Sequence, residues 1–202
     1  MIFDKSQSSK TLKRMRERIG KTFSKLNLTP NQWTGISLAV AVLAAISILQ
    51  QQFLLGAFFI ILSGFIDLID GAVARHTKMV TKKGAYLDTV VDRYNELLYI
   101  FPLIFLPIGT VILPIYAWIF IYLFGSMMTT YAKAAAKEKG LEKEIRGGLL
   151  ERAERVGIYT IGLMVASFNL ILFGYVVVAL AILSNISAIQ RISKAVGLMK
   201  GM

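Results

Sequence analysis

The sequence predicts an all-α, polytopic membrane protein with six transmembrane helices preceded by an amphipathic interfacial helix. Of its 202 residues, 55% are hydrophobic, and the mean hydropathy is +0.61, well above that of a soluble domain of this size. Asp, Glu, Lys and Arg are absent from residues 35–66, 97–132 and 156–190. Each of these stretches has room for one or two spans of about 20 residues, and six spans fit the chain best.

The chain divides into a basic N-terminal juxtamembrane segment, residues 1–27, and a six-helix domain, residues 28–202. Apolar side chains of the first segment recur at helical spacing, at Phe3, Leu12, Met15, Ile19, Phe23 and Leu26. This spacing predicts a helix that lies along the membrane interface. The alternative is a solvated basic tail, and anionic lipid headgroups attract either form.

The first span begins at an N-cap signal. Thr29 is placed to cap the helix, and Pro30 occupies its first position, where the missing proline N–H is tolerated. The six spans are predicted at residues 31–50, 52–74, 86–107, 110–133, 149–169 and 172–192.

The basic residues are concentrated near the loops of one side of the predicted membrane protein. All 23 Lys and Arg lie in the N-terminal segment, near the two loops centred on residues 79 and 145, at position 93, or near the C-terminus. The opposite turns carry no charge. The positive-inside rule therefore places both termini and the active site in the cytoplasm of a multi-pass cell-membrane protein. The formal net charge of +11 is thus explained by topology and requires no nucleic-acid partner, and the absence of cysteine excludes disulfides and thiol chemistry.

Four aspartates interrupt the apolar pattern. Asp67 and Asp70 are spaced i, i+3, and Asp88 and Asp92 are spaced i, i+4, so each pair shares one helix face. A short basic turn joins the two helices into a hairpin with the acids near its cytoplasmic end. A carboxylate at the bilayer midplane costs on the order of 3 kcal/mol, and bound Mg²⁺ or Mn²⁺, which prefer oxygen ligands and pair with phosphate, would compensate this cost.

Small and basic residues accompany these acids. Gly71, Ala74 and Gly84 let a bulky ligand approach the helix backbones, and Arg75 can bind phosphate with its guanidinium fork. Phosphoryl transfer is therefore the leading interpretation. His76 is interpreted as a solvated loop residue, and Glu96, one turn after Asp92, as either an accessory group or a buried hydrogen-bond acceptor.

Other functions remain open from these residues alone. Aspartates in membrane helices also serve as proton relays or structural hydrogen-bonding groups, so a cation- or proton-coupled transporter is a cross-class alternative. Against it, the other spans offer no charged residue at mid-depth to continue a pathway. A binding protein with a decayed site is disfavoured because the motif is complete.

The whole pattern from Asp67 to Asp92, D-x2-D-G-x2-A-R-x8-G-x3-D-x3-D, resembles the signature of the CDP-alcohol phosphotransferases. Pro30, Asn31 and Thr34 resemble that family less specifically. The resemblance implies displacement of CMP from a CDP-linked lipid by an alcohol, catalysed by a six-helix fold that forms homodimers. It also implies two divalent ions, Mg²⁺ or Mn²⁺, between the second and third helices.

The resemblance assigns roles by position. Asp67, Asp70 and Asp88 hold metal, and Asp92 contributes to the metal site and acts as the catalytic base. The CDP-lipid is expected to contact Asn31, Thr34, Asp67, Asp70, Gly71, Ala74, Arg75, Gly84 and Asp88.

The acceptor alcohol is predicted from a different segment. Residues 148–155 read G-L-L-E-R-A-E-R, which resembles the G-L-x-E-R-x-E-R segment of phosphatidylinositol-phosphate and archaetidylinositol-phosphate synthases, with Gly147 preceding it. The implied acceptor is inositol 1-phosphate, whose phosphate would bind Lys133, Arg152 and Arg191. The alternatives are glycerol 3-phosphate as acceptor and a loop whose charges only fix topology. The lipid of the donor, archaeol or diacylglycerol, stays open.

Overall fold

The computed structural model describes residues 5–141 and 148–199. Over these residues the chain forms seven α-helices, two 3-10 turns (Ser24–Leu26 and Phe101–Phe105) and one antiparallel ribbon of strands β1 (Thr110–Val111) and β2 (Leu113–Pro114). The helices are α1 (Lys5–Phe23), α2 (Pro30–Leu49), α3 (Phe53–His76), α4 (Lys82–Ile100), α5 (Ile115–Glu138), α6 (Arg152–Ala166) and α7 (Leu170–Met199). Residues 1–4 of the predicted juxtamembrane segment, Phe3 among them, and Gly147 beside the acceptor segment lie outside the described residues.

The apolar helices confirm an all-α membrane protein. Within the described residues, α2, α3, α5 and α7 are long and apolar enough to cross a bilayer. Large apolar side chains on these helices are exposed, including Phe58 and Phe120, as lipid-facing side chains must be. The predicted spans 86–107 and 149–169 correspond to α4, which carries charges along its length, and to α6, which has 15 residues. The count of six spans therefore stays a prediction.

The chain packs as two compact units. The first comprises residues 1–44 and 58–95 and contains α1 and most of α2, α3 and α4. Its buried apolar cluster consists of Trp33, Ile66, Ile69 and Val73. Phe23 of α1 packs edge-on against Trp33, with 5.6 Å between the ring centroids. Ile19 and Phe23 of α1 therefore pack on this cluster, whereas residues 13–18 are exposed. The position of the segment along the membrane interface stays a prediction.

The second unit comprises residues 45–57 and 96–202, and α7 is its central helix. Asn185 of α7 donates a hydrogen bond from Nδ2 to the carbonyl oxygen of Ile121 in α5 at 2.8 Å. A Cβ at Gly125 would lie 2.6 Å from Asn185 Nδ2, so the close approach of α5 and α7 requires glycine there. Tyr159 of α6 packs against Phe173 of α7, with 5.9 Å between ring centroids.

Most helix ends differ from the predicted spans: α4 ends at Ile100 rather than at 107, α5 ends at Glu138 rather than at 133, and α6 covers Arg152–Ala166 rather than 149–169. Three further differences have a local cause. α4 starts at Lys82 rather than at 86 because Thr81 caps it, and α5 starts at Ile115 rather than at 110 because the β-ribbon precedes it. α7 continues to Met199, beyond the predicted end at 192, and its last turns are held by Ala195, which is buried in a cluster with Ala136 and Leu141. Arg191 consequently lies inside α7, not at the end of a helix.

Candidate active site

Two helix caps set the positions of the site residues in the first unit. The Thr29 hydroxyl accepts the N–H of Gln32 at 3.3 Å, and the Gln32 side chain accepts the N–H of Thr29 at 2.8 Å. This reciprocal capping box fixes Pro30 as the first residue of α2, as predicted. Thr81 accepts the N–H of Gly84 at 3.0 Å and is the N-cap of α4.

Three of the four motif aspartates come together. A carboxylate oxygen of Asp67, of Asp70 and of Asp88 all lie within 4.8 Å of one another. Asp67 and Asp70 share a face of α3, and Asp88 reaches them from α4. Three anionic groups this close repel one another, and a divalent cation relieves that repulsion. Because carboxylate oxygens are the ligands that Mg²⁺ and Mn²⁺ prefer, the residues present fit a divalent metal site.

A buried threonine, Thr34, orients the carboxylate of Asp70. Thr34 donates a hydrogen bond from Oγ1 to Oδ2 of Asp70 at 2.7 Å, and only 5% of Asp70 is exposed. The neighbouring turn of α2 is joined to α3 by a second bond, from Ser63 Oγ to the carbonyl oxygen of Ser37 at 2.8 Å. The two helices therefore hold Asp70 in one orientation.

The aspartates line a cavity of about 700 Å³. All nine residues predicted to contact the CDP-lipid line it, together with Thr29, Pro30 and residues of the α3–α4 turn such as Met79 and Val80. A cavity of this volume holds a ligand the size of a nucleotide headgroup. The nine-residue prediction therefore describes one continuous surface of the first unit.

Two glycines keep this surface open. A Cβ at Gly71 would lie 3.3 Å from an Arg75 guanidinium nitrogen, and a Cβ at Gly84 would lie 3.3 Å from Asn31 Oδ1 and 3.1 Å from Thr81 Oγ1. Both contacts are tighter than an ordinary van der Waals approach. Glycine at these two positions therefore leaves room for the Arg75 guanidinium and for the side chains that surround Gly84.

Asp92 is not part of the cluster formed by Asp67, Asp70 and Asp88. It lies four residues after Asp88 in α4, about 6 Å further along the helix axis, and it is absent from the residues that line the cavity. The group that the structure assembles consists of Asp67, Asp70 and Asp88. A role for Asp92 as metal ligand and base stays a prediction.

A charged cavity residue from a distant helix was not anticipated from the sequence. Arg16 of α1 lines the same cavity as the aspartates, whereas the sequence assigned α1 to the membrane surface. The signal that could have found it is its helical spacing from Gly20 and Phe23, the residues through which α1 contacts the first unit.

The three cations predicted to bind the acceptor phosphate lie in the second unit, on α5, α6 and α7. Arg191 donates a hydrogen bond from Nη1 to the carbonyl oxygen of Thr129 at 3.1 Å, and Thr129 is one turn before Lys133 in α5. Arg152 is the first residue of α6. The backbone just before it is bound to α7, because the N–H of Leu149 donates to Gln190 Oε1 at 2.7 Å.

These contacts bring the three helix segments together. Leu150 reinforces the attachment of the α6 start, since its N–H donates to Ser187 Oγ at 2.8 Å. Lys133 is exposed, and Arg152 and Arg191 are half-buried. The geometry is compatible with a shared anion site, and the binding of phosphate there stays a prediction.

Arg155, a second arginine of α6, is buried in the second unit. Arg155 donates from Nε to Oε1 of Glu96 at 3.2 Å and from Nη2 to Oγ of Ser126 at 3.2 Å. The Tyr122 hydroxyl donates to the same Glu96 oxygen at 2.7 Å. The side chains of Arg155 and Glu96 are 1% and 3% exposed. Of the two interpretations of Glu96, the structure supports the buried hydrogen-bond acceptor.

An apolar helical protein with a carboxylate triad and an arginine in one cavity has the features of a membrane enzyme that acts on a phosphate-bearing ligand. The chain belongs to the CDP-alcohol phosphatidyltransferase family, whose model matches residues 27–187. Family membership confirms the resemblance drawn from the motif and makes the protein a transferase of the CDP-alcohol type. The transporter alternative is thereby excluded.

Individual relatives are similar over most of the chain. The archaetidylinositol phosphate synthase of Pyrococcus horikoshii is 35% identical over 181 residues, which cover 89% of each chain. The phosphatidylinositol phosphate synthase of Corynebacterium glutamicum is 32% identical over 152 residues, 73% of this chain and 68% of that protein. These names agree with the predicted acceptor class.

A solved relative has a similar fold. The phosphatidylinositol phosphate synthase of Mycobacterium tuberculosis with CDP-DAG bound has a TM-score of 0.78 and 26% identity, covering 90% of this chain and 94% of that one. A second structure of that enzyme, in complex with manganese and citrate, also has a TM-score of 0.78 and 26% identity, covering 89% and 88%.

Proposed function

We propose that this protein is a membrane phospholipid synthase that transfers the phosphatidyl or archaetidyl group of a CDP-linked lipid to inositol 1-phosphate and releases CMP. The observation that carries the proposal is the cavity in which the Asp67, Asp70 and Asp88 carboxylates, the Arg75 guanidinium and the predicted nucleotide-contacting residues form one surface. The relatives that synthesise inositol-phosphate lipids support the acceptor.

The residues of the first unit bind and orient the donor. Asp67, Asp70 and Asp88 would hold two divalent ions, Mg²⁺ or Mn²⁺, which when bound neutralise the pyrophosphate and the charge on departing CMP. Arg75 binds a phosphate oxygen. Gly71, Ala74 and Gly84 face the cytidine, and their small size permits close approach to the helix backbones.

The transfer exchanges one phosphorus–oxygen bond for another. The acceptor hydroxyl oxygen bonds to the lipid-bearing phosphorus, the bond from that phosphorus to the bridging oxygen breaks, and CMP leaves with the bridging oxygen. Asp92 accepts the hydroxyl proton as the general base. The acceptor phosphate brings about two negative charges, which Lys133, Arg152 and Arg191 bind.

The remaining features concern the membrane and assembly. Residues 28–202 form the catalytic domain with six spans, in which α4 and α6 cross the bilayer beside the four strongly apolar helices. Both termini and the active site face the cytoplasm, because basic residues flank the loops of one side and are absent from the turns of the other. The functional form is a homodimer, as the family resemblance implies.

An acceptor screen tests the proposal. Purified full-length protein is supplied with Mg²⁺ or Mn²⁺, a CDP-lipid and one of four acceptors, namely inositol 1-phosphate, glycerol 3-phosphate, serine or free inositol, and CMP release is followed. CDP-archaeol and CDP-diacylglycerol are compared as donors. We expect CMP with inositol 1-phosphate. CMP release with glycerol 3-phosphate and none with inositol 1-phosphate would overturn the proposed acceptor.

A further inference from the structure

Helix α1 is seated on α3 through a glycine. Gly20 is buried, and a Cβ at this position would lie 2.6 Å from the carbonyl oxygen of Ala72 and 2.9 Å from Cβ of His76. Phe23 continues the same face and contacts the rings of Trp33 and Phe65 at centroid distances of 5.6 and 6.1 Å. The register of α1 on α3 is therefore set by packing within the first unit.

This register brings one arginine of α1 to the cavity. Arg16 lies four residues before Gly20, one turn along the same face of the helix, and it lines the cavity together with Asp67, Asp70 and Arg75. Arg14, Arg16 and Arg18 are all exposed, but of these three only Arg16 lines the cavity. Among these three arginines, Arg16 is thus distinguished by its place at the cavity.

We propose that Arg16 is a donor-binding residue, whose guanidinium binds a phosphate oxygen of the CDP-linked lipid and makes α1 a part of the active site. The assignment rests on the proposed use of a CDP-linked donor. It extends the site to a segment that the sequence assigned to membrane attachment alone.

The charges of the cavity give the physical reason. A pyrophosphate carries two phosphoryl groups. The Arg75 guanidinium lies next to Gly71 and can bind only the phosphate oxygens near that position. A second guanidinium entering from α1 binds an oxygen that Arg75 does not reach, and such charge-assisted bonds are the stronger class of hydrogen bond. The same arginine could instead bind the phosphate of a bilayer lipid, so the test must separate the two sources.

The test is a calorimetric titration of soluble CDP into the full-length protein in neutral detergent with Mn²⁺ present. Arg16→Gln should weaken CDP binding by roughly tenfold, since the loss of a charge-assisted hydrogen bond has about this effect. Arg16→Lys should retain part of the affinity because the charge remains. Arg14→Gln and Arg18→Gln remove the same charge from the same helix and should bind CDP as the wild type does.

The possible results distinguish failure of the Arg16 assignment from failure of the proposed function. If the wild type binds CDP and Arg16→Gln binds it equally well, the role of Arg16 is overturned while the proposed function stands. If Arg16→Gln keeps the CDP affinity of the wild type but binds less anionic phospholipid in mixed micelles, Arg16 is assigned to bilayer phosphate and its role is also overturned. If the wild type binds no CDP, the proposed function fails and the inference fails with it.

A second variant tests the seating of α1 without touching a charge. Gly20→Ala forces α1 away from the Ala72 carbonyl and should weaken CDP binding in the same direction as Arg16→Gln. Gly157→Ala, in α6, is the control, since a Cβ there meets nothing within 4 Å. Wild-type CDP affinity in Gly20→Ala would show that the contact with α3 does not position Arg16.

Discussion

Thr34 Oγ1 donates a 2.7 Å hydrogen bond to Oδ2 of Asp70, and both side chains are buried. The motif resemblance placed Thr34 among the donor-binding residues, and it does line the cavity. Its hydrogen bond adds a second task, which is to hold the Asp70 carboxylate in the orientation that the metal site requires. Residues that orient metal ligands in this manner strongly affect metal affinity.

We therefore expect Thr34→Val to lower the affinity for Mn²⁺ by roughly 10- to 100-fold, the usual effect of removing such a partner. Thr34→Ser keeps the hydroxyl and should stay close to the wild type. Manganese binding is measured by electron paramagnetic resonance after removal of metal with a chelator, which should also abolish CMP release until metal is returned.

Thr89→Val provides the control for this change. Thr89 Oγ1 donates to the carbonyl oxygen of Ala85 in its own helix at 2.9 Å, and Thr89 does not line the cavity. An unchanged Mn²⁺ affinity in Thr34→Val would show that the hydrogen bond to Asp70 is not needed for metal binding.

We expect substitution of Asp88 to remove metal binding and substitution of Asp92 to remove turnover. Asp88→Asn deletes a member of the carboxylate triad and should abolish or strongly weaken Mn²⁺ binding. Asp92→Asn should leave most of the Mn²⁺ and CDP affinity, because Asp92 is outside the triad. It should lower kcat by about 10²- to 10⁴-fold through loss of the base.

The measurements are CMP release and Mn²⁺ titration on the same preparations. Wild-type turnover in Asp92→Asn would remove Asp92 from the base role. A loss of Mn²⁺ affinity as large as that of Asp88→Asn would make Asp92 a metal ligand first, in line with the shared role that the resemblance assigns to it.

The site was predictable where its residues are neighbours in sequence. Asp67, Asp70 and Asp88 lie within 22 positions of one another, and helical periodicity suffices to place them on facing surfaces of a hairpin. The start of α2 was also predictable, because a threonine cap followed by proline is a local signal. Such features need no knowledge of how distant segments pack.

Contacts between distant segments were not predictable in this way. Arg155 and Glu96 are separated by 59 residues, and their spacing carries no periodic signal. The placement of Arg16 depends on a glycine in α1 fitting a carbonyl in α3, and the extension of α7 depends on the burial of Ala195. In each case the role of the residue is determined by tertiary packing, and nothing in the local sequence distinguishes it from neighbouring residues of the same type.

The Arg155–Glu96 pair is expected to stabilise the second unit only while both members are present. Arg155→Met leaves a buried carboxylate without its cation and should lower the free energy of unfolding by about 3 to 5 kcal/mol. The double variant Glu96→Gln/Arg155→Met should recover part of this loss, because it removes the uncompensated charge. Thermal unfolding in detergent measures both effects.

Arg152→Met is the comparison for this pair, since Arg152 is one turn earlier in α6 and is half-buried. Its effect on stability should be small. Additive losses in the double variant would show that Arg155 and Glu96 do not act as a pair.

The acceptor prediction is tested most directly at Arg191. Its guanidinium is held against α5 by the bond to the Thr129 carbonyl, beside the turn that carries Lys133, so the charge is fixed where an anion can bind. Arg191→Gln should raise the KM for inositol 1-phosphate by roughly tenfold, because a charge-assisted hydrogen bond to phosphate is lost. The KM for the CDP-lipid should stay within about twofold, since Arg191 does not line the donor cavity.

Lys137→Gln is the matched control for the acceptor cations. Lys137 is exposed on α5 one turn beyond Lys133, so its substitution makes the same change in net charge without altering a predicted ligand. Arg152→Gln and Lys133→Gln should follow Arg191→Gln if the three side chains share one phosphate. An equal rise in the KM for the acceptor and the donor would instead mean that Arg191 acts through the fold of α7, because recognition of the acceptor phosphate affects only the substrate that carries it.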